Sequence, residues 1–206
     1  KARDILFISD EVICGFGRTG ELFGSQTLGT EPDLITFAKA VTNGFQPLGG
    51  VLVSDKIASV ITAKGGEFAH GFTYSGHPIA CAAAMATLDI MQSENIFDRV
   101  RDHAAPYMQK RWAELGEHPI VGHTRGLGMF GSMELVRNKE TRERLAPDQV
   151  SGGICRDLAI ENGLVMRAVG DSMIISPPLI CTDAEIDTLI ERATNALDLT
   201  AEHFSV

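Results

Sequence analysis

Basic residues are in short supply. Eighteen Lys and Arg stand against 27 Asp and Glu in the 206-residue chain, a formal net charge of −9. So acidic a chain lacks the positive surface that phosphate backbones require, and no nucleic-acid partner is expected. Long apolar runs are missing too. The longest nearly apolar stretch, Pro78 to Leu88, falls well short of the roughly 20 residues of a membrane-spanning helix, so no membrane partner is expected. Cysteine is sparse and scattered at Cys14, Cys81, Cys155 and Cys181, with no CxxC pair and no histidine cluster at ligand spacing. Neither a disulfide framework nor a metal site is signalled, and a reducing, cytoplasmic setting is expected.

What is present is globular in character. Hydrophobic residues make up 44% and mean hydropathy is +0.05, far from a disordered or low-complexity chain. The length allows one large domain or two small ones. Residue 1 is Lys rather than Met, no signal-like pattern follows, and the apolar run Ile5–Ile8 begins almost at once. The chain is therefore read as starting inside a larger protein.

The stretch Asp4 to Val12 reads as a buried strand that delivers Ser9-Asp10-Glu11 at its carboxyl end, where ligands gather in open α/β sheets. A glycine-punctuated loop follows. Leu34–Phe37 and Gly49–Val53 read as two further strands, and Ser54-Asp55 as the cap of a helix running to Lys64. Pro78 at a first turn and five alanines between Ala80 and Ala86 predict a helix to about Met91. A second helix is expected from Ile96 to Leu115, stopped by Gly116. Beyond it come strands at Gly126–Val136, Leu164–Arg167 and Ser172–Ser176, and a helix near Gly152–Glu161. A final helix from Asp183 to about Phe204 carries a Thr182/Glu185 capping box. The domain boundary is placed near Ser93.

Two stretches, Gly15–Gly20 and Gly126–Gly131, satisfy GxGxxG, the dinucleotide fingerprint. The first lacks the helix that must open at its third glycine, and the second is expected inside a strand. A nicotinamide-dependent oxidoreductase therefore ranks last. Lys39 is more informative. Between Phe37-Ala38 and Ala40-Val41 it is either a lysine snorkelling from a strand end or a desolvated amine suited to a Schiff base with an aldehyde cofactor. Asp10 either caps a loop or supplies the carboxylate that keeps a pyridine ring nitrogen protonated. An Asp at one strand end and a Lys just past the next could reach opposite parts of one small ring.

The segments Ser9–Gly20, Phe37-Ala38-Lys39-Ala40 and Gly71-Phe72-Thr73-Tyr74-Ser75-Gly76-His77-Pro78, in that order, resemble the class III, fold-type I, pyridoxal-phosphate-dependent aminotransferases. The likeness runs through the whole chain but matches only the carboxyl-terminal half of a complete member. It implies an α/β fold: residues 1–92 as the end of the cofactor-binding large domain with part of its mixed sheet, and 93–206 as an α+β small domain. It also implies site residues. Asp10 is similar to the ring-nitrogen partner, Val12 to the residue packing on one ring face, and Lys39 to the lysine that holds pyridoxal 5′-phosphate as an aldimine. Phe72 and Thr73 resemble the segment that reaches the cofactor phosphate of the neighbouring subunit, which implies a homodimer with a shared active site.

Ile13, where many members carry Gln, resembles the ω-amino acid or amine:pyruvate subgroup. In that subgroup Arg167 matches the mobile arginine that pairs with a substrate carboxylate and swings away for apolar amines, a role a bidentate guanidinium suits; otherwise it is a surface arginine. The expected reaction is transamination of an amine donor with a keto-acid acceptor such as pyruvate. A decarboxylase or aminomutase would share every motif. So would an inactive fragment that needs the upstream half, where the phosphate-cupping loop of the family lies.

Overall fold

A computed structural model describes residues 3–148 and 150–206. The chain divides into two compact units, Lys1–Arg99 and Val100–Val206. That division falls a few residues beyond Ser93, because helix α4 (Ile96–Arg99), which follows α3 (Pro78–Ser93), still packs against it.

The first unit is built on a three-stranded mixed sheet in the order β1 (Ile8–Asp10), β2 (Leu34–Phe37), β3 (Gly50–Val53). Strands β1 and β2 are parallel, with Asp10 opposite Thr36, while β3 returns antiparallel with Gly50 opposite Phe37. The pairing is secured at its start by Asp33. Its carboxylate accepts the Phe7 N–H at 2.9 Å and its own N–H donates to the Phe7 carbonyl at 2.8 Å. In α3 the buried residues are Ala80, Ala84, Thr87 and Met91, one stripe at helical spacing, with Pro78 in the first turn as the alanine-rich sequence predicts. Helix α2 (Asp55–Lys64) buries nothing. Ser54 stands at its N-cap position without capping it through its side chain, so that expectation is corrected.

The expected burial of the first strand is corrected as well. Ile5 is 67% exposed and Ile8 58%, because β1 is a sheet edge whose face no described element of this unit covers. The unit's packed centre lies instead beneath the loop after β1, where the Phe16 ring meets those of Phe23 and Phe37 edge-on at 5.6 and 5.7 Å between centroids.

The second unit closes a fuller core. Its antiparallel sheet runs in the order β4 (Val121–Gly126), β5 (Gly131–Asn138), β8 (Ser172–Ile175), β7 (Arg167–Val169), with the short β6 (Glu143–Arg144) paired to β5. Helices α5 (Ala105–Glu114), α6 (Ser151–Glu161) and α7 (Asp183–His203) complete it. Trp112, 1% exposed, packs in this core and donates its indole N–H to the Ser132 carbonyl at 3.1 Å. Its ring lies so close to Gly131 that a Cβ there would sit 2.7 Å from it, so only glycine fits. The capping box of α7 forms as expected: the Thr182 hydroxyl accepts the Glu185 N–H and the Glu185 carboxylate accepts the Thr182 N–H.

Three expectations are revised here. The strand expected over Gly126–Val136 is a hairpin, β4 and β5, turned at the second GxGxxG. Gly128 takes a left-handed φ of 63° there, and the Gln109 carboxamide bonds the carbonyls of Gly128 and Phe130. The helix expected over Ile96–Leu115 is broken into α4, a π-helical Val100–Ala104 and α5, as befits Pro106, whose missing N–H interrupts the regular ladder. The strand expected at Leu164–Arg167 begins only at Arg167.

Helices α5 and α7 are joined by a polar ladder in which the Asp187 carboxylate accepts from the Tyr107 hydroxyl and the Arg111 Nε, each at 2.8 Å. The Tyr107 hydrogen bond first, and Arg111 second, hold the Asp187 carboxyl below its ordinary 3.8. A carboxylate lowered in the folded state adds stability above its ordinary value and loses it as pH falls through the lowered one. On acidification below about pH 4, the thermal midpoint of the parent protein is therefore expected to drop more steeply than that of Asp187→Asn, as melts across pH will show; parallel curves refute the coupling.

Candidate active site

The carboxyl ends of β1 and β2 lie side by side because the two strands are parallel and in register. Asp10 is the last residue of β1 and points outward, exposed. Its Oδ1 accepts from the Val12 N–H at 3.1 Å and from the Thr36 hydroxyl at 3.2 Å, and among the described residues nothing donates to Oδ2. The loop-capping role thus occurs, yet it occupies only one oxygen. Val12 follows, half-buried.

Glu11 faces the other way. It is 2% exposed, and its carboxylate accepts the Gly24 N–H at 2.8 Å, the Ser25 N–H at 2.7 Å and the Ser9 hydroxyl at 3.1 Å. A Cβ at Gly24 would stand 3.0 Å from the Glu11 carboxylate, so glycine is what lets the amide come near. Sequence reasoning assigned Glu11 no part. The signal was strand alternation: if Asp10 points out, Glu11 points in, and a buried carboxylate needs donors such as the amides of a glycine loop. That loop, carrying the first GxGxxG, is followed only by the four-residue helix α1 (Gly24–Thr27), so the context of a dinucleotide site is absent.

Lys39 opens a 3₁₀ turn, Lys39–Val41, directly after β2, with a φ of 52° that non-glycine residues rarely adopt. Its side chain is exposed, as in the first of the two readings of it, a lysine at a strand end reaching solvent: Ala38 and Ala40 are too small to cover it, and no other described part of its unit does. It stands on the wall of a cleft of about 890 Å³, together with Thr42, Gln46, Phe72, Tyr74 and His77. No acidic side chain lines this cleft, so nothing there ties the amine into an ion pair. Buried Thr42 stiffens the wall by donating its hydroxyl to the Gln46 carbonyl at 2.6 Å. Phe72, 70% exposed, lies on the cleft, whereas Thr73 does not line it.

The structure therefore brings Lys39 and Phe72 to one cleft, and Asp10 and Val12 to the adjoining strand end. Arg167 belongs to the second unit, exposed at the first position of β7 opposite Ile174.

A sequence model of the class III aminotransferase family matches residues 1–197. The chain belongs to the class III aminotransferases. It is 57% identical over 198 residues to a putrescine–pyruvate aminotransferase of Pseudomonas aeruginosa, covering 96% of itself and 43% of that enzyme. A mitochondrial gamma aminobutyrate transaminase of Solanum lycopersicum is 40% identical over 200 residues, with 96% and 39% covered. Among solved structures, an (S)-enantioselective omega-transaminase from Thermomicrobium roseum superposes with a TM-score of 0.89 at 43% identity, covering 95% of this chain and 44% of that one. An omega transaminase from Pseudomonas jessenii in complex with PMP gives 0.91 at 36% identity, with 99% and 46% covered. The chain has the fold-type I architecture of these transaminases and spans less than half of their length.

In this class III chain, Glu11 is the clamp that shapes the Asp10 turn. Glu11→Ala orphans two buried amides and is expected to destabilise the protein by about 2–4 kcal/mol, at roughly 1–2 kcal/mol for each, whereas Glu11→Gln retains part of the bonding. Urea unfolding followed by circular dichroism checks this; an Ala variant as stable as its parent disproves the clamp.

Proposed function

We propose that this chain provides the lysine-bearing half of a pyridoxal-phosphate-dependent aminotransferase that passes the amino group of an ω-amino acid or amine to pyruvate or another keto acid. The observation that carries the reading is the placement of Lys39 and Asp10 at the carboxyl ends of two adjacent parallel strands, where α/β sheets bind ligands. The residues fit the cofactor: an amine on a cleft free of carboxylates, and a carboxylate with one oxygen unspoken for.

Pyridoxal phosphate, when bound, supplies an aldehyde for amine capture and a protonated ring that draws electrons from the substrate carbon. The Lys39 Nζ would be the nucleophile that holds the aldehyde and, when free, the base that moves the proton at the substrate carbon. Asp10 would hold the ring nitrogen's proton through its remaining oxygen. Val12 would pack against the ring. Phe72 and Thr73 serve the phosphate site of a second subunit, which makes the enzyme a homodimer with a shared active site. Arg167 binds a substrate carboxylate bidentately and turns aside for an apolar amine.

The partner of this chain within its own subunit is a segment equivalent to the amino-terminal half of its relatives. Residues 1–92 act as the end of the cofactor-binding domain and 93–206 as the small domain. No described helix is long and apolar enough to cross a membrane; a cytoplasmic setting is part of the proposal.

The test is Lys39→Ala in the intact protein. Borohydride trapping is expected to find no cofactor on residue 39, and pyruvate-dependent transamination should fall by about 1,000-fold, the scale of a positioned acid–base group. Retained turnover together with retained visible cofactor absorbance would refute the reading. Carbon dioxide release from the parent, or migration of its amino group, would assign a decarboxylase or aminomutase instead.

A further inference from the structure

We propose that Thr36 is a positioning residue that sets the direction of the free Asp10 oxygen, an inference that rests on the aminotransferase reading above. Thr36 stands directly opposite Asp10 in the parallel register, and it grips that strand end twice. Its hydroxyl donates to Asp10 Oδ1 at 3.2 Å, and its carbonyl accepts the Glu11 N–H at 2.9 Å. With the Val12 N–H on the same Oδ1 at 3.1 Å, two donors converge on one carboxylate oxygen.

A lone exposed carboxylate spins about its terminal torsion, which is broad and two-fold. Two donors on Oδ1 stop that rotation, fix the carboxylate plane and leave Oδ2 as the acceptor that faces away from the turn. An aspartate that must hold a ring nitrogen proton needs this asymmetry, because its two oxygens are otherwise interchangeable. Thr36 suits the task better than serine in one respect: β-branching stiffens its χ1 in a strand, so the hydroxyl is delivered at little entropic cost. Three residues further on, Lys39 leaves the same strand through its 3₁₀ turn. One side chain thus links the two groups that must meet opposite parts of the cofactor.

The experiment uses the intact protein with pyridoxal phosphate as the probe. Thr36→Val preserves shape and strand preference but removes the hydroxyl, and Thr36→Ser restores it. For Val we expect the cofactor dissociation constant to rise about tenfold, the scale of one hydrogen bond to a charged group, and the pH dependence of the bound cofactor's visible band to shift. The serine variant should return both to within about twofold. In an Asp10→Ala background the valine change should add little, since the acceptor of the Thr36 hydrogen bond is already gone. Thr36→Ala gives the same comparison should valine disturb the strand.

Hydroxyl-free variants with unchanged affinity and pH profile overturn the proposal. So does a loss of equal size with Asp10 and with Asp10→Ala, which would mark Thr36 as merely structural. If the parent protein itself yields no borohydride-stable adduct on Lys39, the aminotransferase reading fails and this inference with it; an adduct in the parent with unaffected Thr36 variants fails this inference alone.

Discussion

Glu11 is a buried carboxylate held by two backbone amides and a serine hydroxyl, and the candidate site is arranged around that burial. Leaving such a charge without donors would cost far more than one hydrogen bond contributes, so the glycine-rich loop is compelled to fold back until Gly24 and Ser25 present their N–H groups. Once Glu11 is inward, strand alternation turns Asp10 outward, and the Asp10 turn fixes Val12 beyond it. Parallel pairing with β2 then brings Thr36 beside Asp10 and starts the turn that carries Lys39. The outward residues need the inward one, since a slip of one residue would bury Asp10 and expose Glu11.

The two units differ in how completely their own residues close a core. Together with Trp112, the second unit buries Met108, Met133, Met173, Ile186 and Leu197 almost wholly, from both helices and sheet. In the first unit α2 buries no residue and the apolar β1 and β3 side chains stand largely exposed. The chain's match to less than half of each relative accords with that contrast: a sheet of three strands lacks enough facing surface to bury its own apolar residues.

Elements whose signals are local were legible in the sequence. Strand β2 and the alanine-rich α3 follow from β-branched runs, propensity and a proline start, and the α7 cap follows from two side chains three residues apart. Features set by tertiary contacts were not. The β4–β5 hairpin depends on Gln109 reaching the turn carbonyls from another helix, and Glu11 depends on a loop thirteen residues downstream. Lys39 and Asp10 were found through their order along the chain, whereas the Thr36 hydroxyl between them is visible only when the strands are placed side by side. The exposure of Lys39 stayed open between two readings for the same reason: apolar neighbours in sequence do not cover a side chain unless something folds over it.

That exposure constrains how a reaction at Lys39 could work. Among the described residues of its unit nothing covers the side chain, so this unit by itself does not shut water out of the cleft around it. Lys39 nevertheless lines the cleft from a left-handed φ, and a strained backbone of this kind persists only where its surroundings insist on it. The place of Lys39 and its cover therefore have separate origins. Its place is built into this chain by the β2-to-3₁₀ junction. On the reading proposed above, cover for the cleft would come from the cofactor, a second subunit and a segment equivalent to the relatives' amino-terminal half.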